Sequence, residues 1–296
     1  MTRRVLLVVH TGRPEAVCSA HDVTALLTKA GLEVAVLQTE AAELQLTDPH
    51  VVTEHPVAGA EVVIVLGGDG TVLRAAELVR EVGTPLVGAN LGHVGFLAEA
   101  DPEALTAMVD RVVTRRYEVE ERMTVDVTVR RNGEVLWEGW ALNEATVEKT
   151  ARERMIEVVV EVDGRPLSRF GCDGVVLGTP TGSTAYAFSA GGPVVWPQVE
   201  ALLLVPISAH ALFAKPLVVA PTSLLAVELV AGTPSGVVWC DGRRGIEVPA
   251  GARVEVRRSA VPVRFARLHP LPFTDRLVAK FGLPVHGWRG RATPAG

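Results

Sequence analysis

The apolar residues of this chain change rhythm once, near Tyr117, and that change limits the folds open to it. Before it, short apolar runs alternate with stretches of helical spacing. Arg4–Val9, Glu33–Leu37, Val62–Leu66 and Pro85–Gly88 read as strands. His21–Ala30, closed by Gly31, reads as a helix. So do Thr71–Val82, with Val72, Ala75, Ala76 and Val79 on one face, and Pro102–Thr114, with Leu105, Met108, Val109 and Val112. Strands alternating with helices imply βαβ units around a mostly parallel sheet. After Tyr117 the period becomes two. Val125, Val127 and Val129 alternate with polar neighbours and meet the hairpin signal Asn132–Gly133, with Val135–Ala141 as partner. Met155–Val162 meets a second such signal at Asp163–Gly164. Gly174–Leu177, Leu202–Val205, Leu217–Val219, Leu224–Leu229, Val237–Trp239, Arg253–Val256 and Val263–Leu268 continue the series. The expected architecture is an α/β N-terminal domain over 1–116, Rossmann-like with a mostly parallel sheet, then an all-β antiparallel C-terminal domain over 117–270. Residues 271–296 form a tail whose helical stretch Thr274–Phe281 is expected to pack back on the first domain.

Composition narrows the function classes. A length of 296 residues suits two domains, and 48% hydrophobic with 21% charged residues is globular composition. Cys18, Cys172 and Cys240 form no CxxC pair, which argues against a disulfide scaffold and a cysteine-rich zinc site. No metal ligand set is expected. A net charge of −5 argues against a general nucleic-acid binder. The apolar run after Arg3–Arg4 breaks at His10, and Ala201–Ile207 is too short to span a bilayer. The expectation is a soluble cytoplasmic protein with no membrane or nucleic-acid partner. A polyanionic ligand must then find a local positive site.

Val62–Leu66 runs into Gly67–Gly68–Asp69–Gly70–Thr71 and then a helix. Glycines let backbone approach phosphates, and the N–H groups of a helix start favour negative charge. Thr71 can cap that helix. Asp69 is the anomaly, since a carboxylate in a phosphate cradle repels the ligand. It makes sense as a holder of Mg²⁺, or as the acceptor of a proton from a hydroxyl being phosphorylated. The bland alternative is a tight turn with Asp as a cap. The run is neither a Walker A loop nor a GxGxxG fingerprint. A second glycine cluster, Gly88–Leu97, follows a strand, where open α/β sheets bind ligands. Arg74 lies one turn into the helix, facing either a phosphate donor or solvent.

The second half carries Asn143–Glu144 at a strand end, and Thr179–Pro180–Thr181–Gly182–Ser183–Thr184–Ala185–Tyr186 after a strand. An Asn side chain can donate to and accept from a base edge, and a Glu can hold ribose hydroxyls. The hydroxyls and amides of the longer run suit a sugar–phosphate ligand. Tyr186 reads more naturally as a core residue.

In this order, the glycine–aspartate turn, the Gly88–Leu97 cluster, Asn143–Glu144 and the 179–186 run resemble the NAD kinase family, from Val5 to about Trp288. Lipid kinases of the diacylglycerol type and phosphofructokinases share versions of the first element. The run 179–186, with Asp173 before it and Ser189–Pro193 after it, is far more specific. The resemblance implies transfer of a phosphoryl group to the 2′-hydroxyl of the adenosine ribose of NAD, giving NADP. The donor is ATP, or polyphosphate in some bacterial members, with Mg²⁺ or another divalent cation. It implies Asp69 as the base and Gly67, Gly68, Gly70 and Thr71 as the phosphate turn. Asn143 and Glu144 would contact NAD, and Asp173, Thr184, Ala185, Tyr186 and Ser189 would line its pocket. Asp241 would sit in a turn near the substrate. Homodimers or homotetramers are implied as well. The chain departs from the family pattern at Gly171–Cys172, where many members carry Arg before Gly–Asp–Gly, at Ser208–Ala209–His210 and at Lys215.

Overall fold

The computed structural model describes residues 3–47, 49–52, 55–89, 91, 95–97, 105–268 and 272–285. The chain divides into two compact units, Met1–Glu121 with Arg264–Gly296, and Arg122–Val263.

The first unit opens β1 (Arg4–Val9), α1 (Pro14–Lys29), β2 (Glu33–Leu37), α2 (Gln38–Leu44), β3 (His50–Val52), β4 (Ala60–Leu66), α3 (Asp69–Val79), β5 (Leu86–Ala89), α4 (Leu105–Val113) and β6 (Glu118–Arg122). α1 starts two turns before the expected His21. Pro14, at its first turn, lacks an N–H that would have no helical partner there. The early buried positions are the small Ala16, Ser19 and Ala20, which give little apolar signal. α2 is a single short stretch anchored by buried Glu40 and Leu44, too brief for a periodic pattern.

The second unit holds β7 (Val125–Arg131), β8 (Glu134–Ala141), β9 (Glu144–Lys149), β10 (Ile156–Val162), β11 (Arg165–Cys172), β12 (Gly174–Gly178), the short α5 (Tyr186–Ser189), β13 (Leu202–Ile207), β14 (Leu217–Val219), β15 (Leu225–Leu229), β16 (Gly236–Cys240), β17 (Arg244–Val248) and β18 (Arg253–Arg258). Then β19 (Val263–Arg267) and α6 (Phe273–Phe281) follow.

The first unit's sheet has the order β3-β2-β1-β4-β5-β19-β6. The pairs β2–β3, β1–β2, β1–β4, β4–β5 and β5–β19 are parallel. Val5, Leu7 and Val9 share a core with α1 and α4, while α3 lies on β1, β4 and β5. One expectation needs correction: Val263–Leu268 does not extend the antiparallel half. Its strand enters the parallel sheet, with Phe265 opposite Leu86. Alternation marks a strand but not the sheet it joins.

The second unit has two six-stranded sheets, β11-β10-β15-β18-β7-β8 and β14-β13-β12-β9-β16-β17. Their inward residues, among them Val127, Val147, Val158, Leu177, Val227 and Val238, form one core. Both predicted hairpins form. Asn132 and Gly133 have φ of 52° and 86°, and Asp163 and Gly164 have 53° and 73°, the paired left-handed geometry of the tightest hairpin turn.

Candidate active site

In the first unit, β1 has β2 on one side and β4 on the other, so the strand order reverses between β1 and β4. Open α/β sheets bind ligands outside the carboxyl ends of strands at such a point. The two segments leaving those ends are His10–Arg13 and Gly67–Gly70. His10 N–H donates to Leu66 O at 2.9 Å, which holds them side by side. Gly67 has φ of 159°, and a Cβ there would meet Thr71 Oγ1 at 2.5 Å, so the turn closes directly over the helix start. Thr71 is not the helix cap. The N-cap is Gly68, without a side-chain hydrogen bond, and Thr71 lies buried within α3 with its hydroxyl against Gly67. The His10 segment carries no glycine pair or signature that would mark it in the sequence.

Asp69 is the first residue of α3. Its Oδ2 accepts the Phe96 N–H at 3.2 Å and its Oδ1 the Leu97 N–H at 3.1 Å. A Cβ on Gly95 would stand 2.5 Å from Oδ1. The two glycine clusters are therefore one device, with the second leaving room for the carboxylate of the first. Asn90 and Gly92–Val94 of that cluster lie outside the described residues.

Arg74 faces neither solvent nor open space with its Nη2. That nitrogen donates to Glu40 Oε1 at 2.5 Å and to Val9 O at 2.9 Å. Glu40, 2% exposed, also accepts the Val9 N–H through Oε2 at 2.9 Å. Burial pushes the Glu40 carboxyl up, and the Val9 N–H and Arg74 pull it back. This pair, buried on the Glu40 side, ties α3 and α2 to the end of β1. Removing one partner of such a pair strands the other.

In the second unit, register brings three segments to one end of adjacent strands. Glu144, at the start of β9, pairs with Gly178 of β12, and Ala145 pairs with Cys240 of β16. The turn at Asn143, the 179–186 run and the Asp241 turn therefore meet. Gly182 is dictated by space: a Cβ would stand 2.0 Å from Asn143 O. Thr179 donates its hydroxyl to Leu142 O at 2.6 Å and its N–H to Asn143 O at 2.9 Å. Ser183 Oγ donates to Pro180 O at 2.7 Å and accepts the Val195 N–H at 2.9 Å. Those two hydroxyls fold the run rather than wait for a ligand.

Asp241, in the left-handed region with φ of 53°, points into the protein. Its Oδ1 accepts the Asn143 N–H at 2.7 Å, and its Oδ2 accepts the Leu142 N–H at 3.0 Å and Arg244 Nη2 at 2.9 Å. Arg244 in turn sits 4.3 Å over the Trp140 ring. Burial pushes the Asp241 carboxyl up, against the pull of those amides and of Arg244. With donors converging on both oxygens, the geometry fits the carboxylate. Asp241 thus holds the Asn143–Glu144 turn.

Against this saturated wall, Asn143 Oδ1 and Glu144 Oε2 are buried without any partner. Each residue is 7% exposed. Orphaned buried oxygens are costly unless a ligand completes them. Tyr186 is exposed, not a core residue, and its N–H reaches the Glu144 carboxyl. Burial raises its phenol first, then the charges of Glu148, Asp173 and Glu144. Thr184 and Ala185 are half-buried beside it, and Ser189 is exposed at the end of α5. Asp173 stands at the opposite end of β12, just before Gly174. Its Oδ1 pairs with Lys149 Nζ at 2.6 Å, which holds its carboxyl below the usual range.

Burial, then the charge of Asp241, pushes Glu144 up to about 8, against the pull of the Tyr186 N–H. The unfolded chain loses this proton near 4.5, whereas the folded chain keeps it to about 8. This contribution to stability is complete below 4.5 and is lost as pH rises through that window. Glu144→Gln removes it, so its melting temperature should fall less steeply with pH and overtake the wild type at the alkaline end. Parallel melting curves from pH 5 to 9 would rule out the buried protonated carboxyl.

Residues 5–117 match the family model "ATP-NAD kinase N-terminal domain", and residues 142–268 match "ATP-NAD kinase C-terminal domain". A protein named NAD kinase 2 from Streptomyces avermitilis is 64% identical over 292 residues, covering 97% of each chain. The NAD kinase of Thermobifida fusca is 60% identical over 301 residues, covering 98% of this chain and 92% of its own. Among solved structures, yeast NADH kinase complexed with NADH superposes with a TM-score of 0.87 at 22% identity, covering 96% of this chain and 89% of that one, a likeness of fold. An NAD kinase from Archaeoglobus fulgidus in complex with ATP gives 0.69 at 27% identity, covering 95% and 98%.

Proposed function

The chain belongs to the ATP-NAD kinase family and phosphorylates the adenosine-ribose 2′-hydroxyl of NAD, giving NADP, and from that premise we propose how its residues divide the work. The turn Gly67–Thr71 takes the donor phosphates on backbone N–H groups at the start of α3, which suits a chain of net charge −5. Glu40 and Arg74 keep that helix start against β1. Asp69 orients the acceptor hydroxyl and takes its proton, and phosphoryl transfer otherwise needs positioning and charge neutralisation. In the second unit Asn143 and Glu144 receive the dinucleotide, with Thr184, Ala185, Tyr186 and Ser189 along the same wall. Asp173 extends it at the far end of β12. The observation that carries the acceptor reading is the pair of orphaned oxygens, Asn143 Oδ1 and Glu144 Oε2, in a wall otherwise satisfied. Asn143 Oδ1 needs a hydroxyl or amino donor, and the protonated Glu144 carboxyl needs a partner that can accept, and the hydroxyls of a nucleoside can do both.

ATP is the donor, with polyphosphate as an alternative. The divalent cation arrives with the nucleotide phosphates. Among the described residues there is no group of three or more His, Cys, Asp or Glu that could hold one. The exposed apolar side chains Trp196, Val199, Leu212 and Phe213 support a homo-oligomer. A cytoplasmic site of action fits three unpaired cysteines, and no described helix is long and apolar enough to cross a membrane. The test is an enzyme-coupled NADP assay with ATP and polyphosphate as parallel donors. NADP should form with ATP. Asn143→Ala should raise the KM for NAD about 10-fold, the equivalent of one lost polar contact, with kcat little changed. An unchanged KM would remove Asn143 from the acceptor site.

A further inference from the structure

The Asp69 carboxylate is fixed by two N–H groups of the segment Gly95–Leu97, which forms no strand or helix of its own. Such a segment holds a carboxylate only as firmly as it is itself held. Its anchor comes from far along the chain. Arg276 Nη1 of α6 donates to Phe96 O at 3.0 Å. The Phe96 ring lies 6.0 Å from that of Phe273 and 5.9 Å from that of Phe281, tilted at 42° and 46°. These separations fall in the range of favourable aromatic pairs. One residue, Phe96, therefore presents its N–H to Asp69, its ring to both ends of α6, and its C=O to the middle of that helix. No residue of α6 is buried, so the helix is not simply a part of the core.

We propose that α6 is a positioning element for the phosphoryl-transfer step: Arg276, Phe273 and Phe281 clamp Phe96, and Phe96 with Leu97 sets the Asp69 carboxylate. The inference rests on the reading of Asp69 as the base. Its physical content is geometric. Two N–H groups restrain both oxygens of a side chain that otherwise turns about two bonds. A displacement of about 1 Å at a reacting group can cost about 100-fold in rate. Arg276, Phe273 and Phe281 act through Phe96 and are not themselves catalytic residues.

The experiment combines amide hydrogen exchange with steady-state kinetics on the full chain. Arg276→Ala should speed exchange at Phe96 and Leu97 and leave the β1 and β4 amides unchanged. It should lower kcat about 10–100-fold, with the KM values for ATP and NAD within about a factor of two. Arg276→Lys should recover part of kcat, since an ammonium still donates to Phe96 O. Phe281→Leu keeps apolar bulk, removes the ring pair and serves if Arg276→Ala folds poorly. In an Asp69→Asn background, Arg276→Ala should cause no further loss. Unchanged exchange at Phe96 overturns the clamp. Faster exchange with unchanged kcat overturns its role in the reaction, and equal fold-losses in both backgrounds reduce it to general support of the fold. Wild-type turnover in Asp69→Asn alone is a different failure: it removes the base and the catalytic half of this proposal together, while the exchange data still report on the clamp.

Discussion

Asp69→Asn should lower kcat about 10²–10⁴-fold, the range a positioned general base supplies, while the protein stays folded. Asp69 begins α3 and its side chain faces Gly95–Leu97, so the change alters chemistry without opening a cavity. An amide keeps the shape but cannot take a proton from a hydroxyl. It also has one acceptor oxygen where the carboxylate has two, so one of the Phe96 and Leu97 N–H groups loses its partner. That second effect is worth about 1–3 kcal/mol, and it should appear as lower stability, not as lost turnover. Asp69→Glu separates the two. It keeps the charge but carries the carboxylate one methylene further, past the space that Gly95 leaves. Turnover should therefore fall with Glu as well. The coupled NADP assay with melting curves on both variants decides it, and near-wild-type turnover in Asp69→Asn would dismiss the base.

Asp241→Ala should be the most destabilising single change in the second unit. It removes the acceptor of the Leu142 and Asn143 N–H groups and leaves Arg244 without its carboxylate, in a residue 8% exposed. Breaking a buried ion pair from one side costs about 3–5 kcal/mol. For a unit of this size that is a fall of about 6–20 °C in melting temperature. The functional effect should follow the same path, because the turn it releases carries Asn143 and Glu144. The KM for NAD should rise by more than in Asn143→Ala, with the KM for ATP little affected. Arg244→Ala should show a smaller version, since the two backbone amides still hold Asp241. A melting temperature within 2 °C of wild type would show that the turn stands without the carboxylate.

Local chemistry was readable from the sequence and pointing direction was not. Asn132–Gly133 and Asp163–Gly164 were legible as hairpins because a left-handed pair is a property of those residues themselves. β1, β2 and β13 are legible because a run of β-branched and aliphatic residues declares itself within five or six positions. The resemblance implies Asp241 in a turn near the substrate, whereas its carboxylate faces the backbone of Leu142–Asn143. Spacing sets Arg74 against phosphate or solvent, yet its partner is Glu40, buried in a helix with no periodic signal. Thr71 and Tyr186 exchanged their expected settings, the first buried within α3 and the second exposed. Each of these outcomes depends on what lies across a sheet or on the next helix, which spacing along the chain does not encode. The second glycine cluster shows the same division. Its glycines were conspicuous, but their reason, room for Asp69 Oδ1 beside Gly95, exists only in three dimensions.

The place of β19 has a consequence in time. It lies between β5 and β6 in the sheet of the first unit, although the whole of the second unit is encoded between β6 and β19. A ribosome adds about 5–20 residues per second, so the β5 edge waits for roughly 170 further residues before its neighbour is made. During that interval the emerging chain has the turn Gly67–Thr71 but neither β19 nor α6. The second unit must fold as an insertion within an unfinished partner. β19 and α6, which complete the sheet and hold Phe96, are thus made after the whole of the second unit, and a chain interrupted before them would lack both.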